Sequence, residues 1–139
     1  MQSEQDLYNE LAYYTLAHGD PAFIHQNIAD AFAAQHADET SKPIHIVFAL
    51  VGLYLHLEKD FTGRQVQLAH MRLAKRRKQW VRPVLPPERG AIGIADVLAV
   101  ASGPARDAMI RRWCESAWEP WRDSRQQIVD LVKTELDIG

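Results

Sequence analysis

The stretch that decides the fold is Pro43-Ile44-His45-Ile46-Val47-Phe48-Ala49-Leu50-Val51-Gly52-Leu53-Tyr54-Leu55-His56-Leu57-Glu58. Proline opens it where a helix tolerates proline, at the first helical position. The run is apolar on nearly every side, so it has no solvent face. A helix of that kind belongs at the centre of a bundle, with neighbours covering most of its circumference. The apolar run from Ile44 to Leu57 is 14 residues long. That is too short to span a bilayer, so the expectation is a buried core helix and no membrane partner.

Working outward, the flanking segments carry helical spacing. Leu7, Leu11, Tyr14 and Ala17 form a stripe over residues 4–17, which Gly19 ends. Asp20-Pro21 restarts the chain, and Ile24, Ile28, Ala31 and Phe32 suggest a second helix over 21–36. After the core helix, Thr62-Gly63-Arg64-Gln65 is a capping box. It starts a fourth helix with inner residues Val66, Ala69 and Leu73, running to Lys78. Pro83, Pro86, Pro87, Gly90 and Gly93 then mark an irregular stretch, with Val84 and Leu85 as its expected anchors. A short helix over 94–100 follows. Gly103-Pro104 opens the last helical region, in which Pro120 forces a break near Glu119. The expectation is one all-α domain over residues 1–139, an antiparallel bundle of about five helices around the central helix 43–58.

Composition narrows the function classes. With 47% apolar and 24% charged residues, the chain is globular rather than disordered. A net charge of −2 gives no global field that favours nucleic acid. Cys114 is the only cysteine, so an internal disulfide and a thiolate zinc cluster are excluded. The polar, acidic start has no signal-peptide pattern, and a cytoplasmic location is expected.

The histidines carry the most specific pattern. His25 and His36 lie eleven positions apart, as do His45 and His56. Eleven steps of about 100° return a side chain to within roughly 20° of its starting direction. If the second and third helices run antiparallel, His36 nears His45 at the turn and His25 nears His56 at the far end. Ala29, Ala49 and Gly52 let the backbones approach. His18 precedes the second helix, and His70 edges the stripe of the fourth. His25, His56 and His70, with His18 or His36, are therefore the candidate ligands of a transition metal, zinc or iron, or of a small molecule. No His-Glu-x-x-His and no Glu-x-x-His is present, and a hydrogen-bonded packing role is the commoner fate of a core histidine.

Two alternatives compete. Trp113, Trp118 and Trp121, with Tyr8, Tyr13 and Tyr14, could build a protein-interaction or homodimer surface, although large aromatics mostly pack cores. Lys75, Arg76, Arg77, Lys78 and Arg82, with Trp80, could contact nucleic acid, although basic residues at a helix end also complement its dipole. Cys114 lies near Arg111 and Arg112, and an inert buried thiol is expected.

The run Asp20-Pro21 … His25-Gln26-Asn27-Ile28-Ala29-Asp30-Ala31-Phe32-Ala33-Ala34-Gln35-His36 resembles a bacterial family of uncharacterised small helical proteins. Their pattern is Asp-Pro, then His-x4-Asp-Ala-aromatic-Ala-x-Gln-His. The likeness continues through Glu58, through Gly90-Ala91-Ile92-Gly93 and to Trp113 and Trp118. It implies no activity. It does draw His25, Asp30, Gln35 and His36 together as residues to locate.

Overall fold

The structure, a computed structural model, describes residues 2–17, 20–76 and 79–139. Among them the regular elements are all helical. The α-helices are α1 (Glu4–Ala17), α2 (His25–His36), α3 (Pro43–Glu58), α4 (Gly63–Arg76), α5 (Ile94–Leu98), α6 (Pro104–Trp118) and α7 (Arg125–Leu136). A 3-10 segment, Glu119–Ser124, joins α6 to α7. Pro120 removes a backbone donor there, and the chain tightens into about two 3-10 turns.

α3 is the central helix, as its all-round apolarity requires. It packs on α2, α4, α6 and α7, and its residues Ile46 to Leu55 are buried apart from Phe48. Asp30 lies against Gly52, and Asn27 shares a cleft with His56. With the connecting turn at residues 37–42, that register makes α2 and α3 antiparallel neighbours. Leu11, Ile28, Leu50, Leu73, Trp113 and Ile128 draw α1, α2, α3, α4, α6 and α7 into one core. Burying a side chain of that size contributes about 1.5–3 kcal/mol.

Two expectations change. Asp20 does cap the chain, accepting from the backbone N–H of Ala22 at 2.8 Å and of Ile24 at 3.3 Å. The helix nevertheless starts only at His25, because Phe23 takes a left-handed φ of 58°. The irregular stretch after α4 is not anchored by Val84, which is 82% exposed. Leu85 does pack against the core, and a polar anchor joins it. The Arg89 guanidinium donates to the Ala37 carbonyl at 2.6 Å and the Pro86 carbonyl at 3.1 Å. Gly90 has a φ of 100°, and a Cβ there would lie 2.1 Å from the Ser116 carbonyl oxygen.

Candidate functional site

The ends of three helices meet at one side of the bundle. The capped turn at Asp20–Ile24 leads into α2. At the exit of α3, Asp60 is left-handed (φ 58°), and the Phe61 N–H returns to the Leu55 carbonyl at 3.0 Å. α4 begins on the expected capping box, with Thr62 N–H to Gln65 Oε1 at 2.8 Å and Gln65 N–H to Thr62 Oγ1 at 3.2 Å. Gly63 is required at its start, because a Cβ would lie 1.8 Å from the Phe23 carbonyl oxygen. That close approach lets the Arg64 N–H reach the Ala22 carbonyl at 2.9 Å. Between these segments and α6 lies a cleft of about 230 Å³, whose polar lining is Asp20, Asn27, His56, Asp60, Thr62 and Arg111.

His56 is the best-defined group in the cleft. Its Nδ1 lies 2.8 Å from the Phe61 carbonyl oxygen, which can only accept, so Nδ1 carries the proton. Nε2 is then the basic nitrogen, and it has no partner among the described residues. Burial lowers the His56 pKa, and Arg111 pushes the same way against the Phe61 carbonyl and Asp60. The ring is therefore a neutral acceptor at pH 7, oriented by a backbone carbonyl. Asn27 is 5% exposed, and its Oδ1 has no hydrogen-bond partner among the described residues. Buried amide oxygens nearly always have one.

One turn along α2, Asp30 is fully enclosed. Gln26 Nε2 donates to its Oδ1 at 3.2 Å, while Oδ2 has no partner among the described residues. A Cβ on Gly52 would lie 1.9 Å from that Oδ2, so glycine makes the space for the carboxyl group. Burial raises the Asp30 pKa well above its ordinary value. Cys114 is buried and donates to the Asn27 carbonyl at 3.6 Å. Burial first, then Asp30, hold its thiol far above the reactive range, so it is inert.

The histidines proposed from spacing occupy separate environments. His56 lines the cleft and His25 does not; His25 Nδ1 lies 3.2 Å from Thr15 Oγ1 of α1. His70 Nε2 donates to the Phe48 carbonyl at 2.7 Å, and the ring stacks on Phe48. His36 donates from Nδ1 to the Phe32 carbonyl at 2.9 Å and lies 3.7 Å from Glu4. His18 lies outside the described residues. Among the described residues no three His, Cys, Asp or Glu side chains form a group that could hold a metal ion. Glu58, near that end in sequence, is committed to Arg125 and to Trp118 Nε1 at 2.8 Å.

Most of the aromatic candidates pack. Trp113, Trp118 and Trp121 are buried inside the chain, as is Tyr14, so the tryptophans offer no outward surface. Tyr8 packs on Phe32 at 4.5 Å, and Tyr13 is exposed. In the basic segment, Lys75 and Arg76 are exposed at the end of α4. Arg82 is also exposed and donates to the Ser41 carbonyl at 2.6 Å, and Trp80 packs edge-on against Phe48. Arg77 and Lys78 lie outside the described residues.

Asn27 is the residue that the sequence reading missed. The apolar stripe of the sequence runs through Ile24, Ile28, Ala31 and Phe32. The buried face is Asn27, Ile28, Asp30, Ala31 and Ala34. The spacing of Asn27, Asp30, Ala31 and Ala34 was the available signal, hidden by alanines around the helix.

A match to one family spans residues 4–122. The chain belongs to DUF5946, a family of unknown function. No curated protein and no solved structure matches it. The family match contains every residue that lines the cleft, together with Asp30, Gly52 and Cys114. It stops short of α7.

Proposed function

We propose that this protein binds a small aminocarboxylate, of the size and chemistry of a free amino acid, in the cleft at the Asn27–His56 end of the bundle. The observation that carries the reading is the unpartnered Asn27 Oδ1 beside a His56 whose free nitrogen is also an acceptor. Two acceptors without donors call for N–H or O–H groups on a ligand. The Asp60 carboxylate favours a cationic donor, and the Arg111 guanidinium suits a carboxylate at the other end. A cavity of about 230 Å³ fits a metabolite better than a drug-sized molecule.

The test is ligand-observed NMR with the twenty amino acids against wild type, Asn27→Leu and His56→Phe. At least one amino acid should bind the wild type. Each variant should weaken that binding about tenfold, the cost of one lost hydrogen bond to a charged group. If none of the twenty binds, or if Asn27→Leu binds as tightly as wild type, the reading is wrong.

A further inference from the structure

A second cavity, of about 270 Å³, lies between the irregular stretch and the 3-10 segment. Its apolar wall is Val84, Leu85, Pro86 and Pro87, and Trp121 and Ser124 line the other side. Trp121 is 1% exposed, and its indole N–H has no acceptor among the described residues. The other two core tryptophans do have acceptors: Trp113 donates to Gln35 Oε1 and Trp118 to Glu58 Oε2, each at 2.8 Å. Arg89 lies over the Trp121 ring, 5.6 Å from its centre, while bonded to the Pro86 carbonyl. One side chain thus fixes both the ring and the opposite wall.

We infer that this cavity binds a small neutral molecule with an apolar body and a carbonyl oxygen, which accepts from the Trp121 indole N–H. An indole nitrogen only donates, so its missing partner is an acceptor. The hydrocarbon wall matches an apolar body. Charge selects a neutral acceptor over a carboxylate. Glu88 and Asp123 line the cavity, and the two arginines at it among the described residues are engaged: Arg122 with the Glu119 carbonyl at 3.2 Å and its carboxylate at 3.6 Å, and Arg89 with the Ala37 and Pro86 carbonyls. This cavity shares no lining residue with the Asn27–His56 cleft.

The experiment follows the indole N–H resonances of ¹⁵N-labelled protein while cyclohexanone, and separately cyclohexanecarboxylate, is added. The Trp121 signal is assigned in Trp121→Phe, or through sequential connectivities if that variant does not fold. Cyclohexanone should shift the Trp121 resonance saturably and leave Trp113 and Trp118 unmoved. The carboxylate should bind about tenfold more weakly, because like charges repel. Val84→Glu, at an exposed wall position, should weaken the ketone several-fold without unfolding the protein. The proposal fails if the Trp121 resonance does not move, if it reports only a long-lived bound water, or if the carboxylate binds as well as the ketone.

Discussion

Gln35 and Asn27 are two amide side chains eight residues apart on α2, and they live opposite lives. Gln35 Nε2 donates to the Ile92 carbonyl at 2.7 Å and the Arg89 carbonyl at 3.0 Å, while its Oε1 accepts from Trp113. Every bonding capacity it uses joins α2 to the irregular stretch or to α6. Asn27 is buried and lines a cleft, yet its side-chain oxygen Oδ1 is unmatched among the described residues. Folding alone explains the first. An unmatched buried acceptor costs about 1–3 kcal/mol, so the second points to something beyond folding.

The largest effect expected from this contrast is at Gln35. Gln35→Leu strips Trp113 Nε1 and two carbonyls of their partners at once, and urea denaturation should show a loss of about 2–4 kcal/mol. Gly52→Ala comes next. The added methyl group meets the Asp30 carboxyl group in a packed interior, for an expected loss of about 1–3 kcal/mol. Adding Asp30→Ala to Gly52→Ala should recover part of that loss. Two independent losses would mean that the residues do not share the space.

Asp30 gives a smaller effect with a definite sign. Its folded pKa is raised, so the native state holds the proton more tightly than the unfolded chain. Its contribution is complete below the ordinary value of 3.8 and is lost as pH rises through the folded pKa. The half-buried histidines slope the other way. Burial lowers the pKa of His25, His56 and His70, so their contribution is complete above 6.5 and is lost as pH falls. Asp30→Asn leaves the histidine slope and removes the Asp30 slope. Relative to wild type, it should gain stability as pH rises above 3.8, until the folded Asp30 pKa is passed. A difference that does not change with pH would place Asp30 in solvent.

Much of the fold was legible because strong local signals agreed. Pro43 and the unbroken apolar run set α3, Thr62 and Gln65 set the start of α4, and Pro120 set the change of helix type. The start of α2 was misread because a well-formed cap at Asp20 is followed by a left-handed Phe23, which no pattern announces. The site was less legible. Spacing aligned His25 with His56 on paper, but that argument tracks direction around a helix and not what each ring finds there. Thr15 takes one ring, and the Phe61 carbonyl orients the other. Of the candidate histidines among the described residues, His56 is the one that lines the cleft, and Asn27 is hidden in an alanine-rich segment whose apolar face has no single direction.

The smallest stability change should come at Asn27, and it is the most informative. The decisive measurement is the unfolding free energy of wild type and Asn27→Leu, with and without a saturating amino acid that binds the wild type. Without ligand, the variant should match wild type or exceed it by up to about 1 kcal/mol, since an unmatched polar atom is replaced by an apolar one. With ligand at 100 times the wild-type Kd, the wild type should gain about 2.7 kcal/mol and the variant, which binds about tenfold more weakly, only about 1.4 kcal/mol. A variant that is less stable than wild type without ligand, and gains as much with it, would make Asn27 another Gln35.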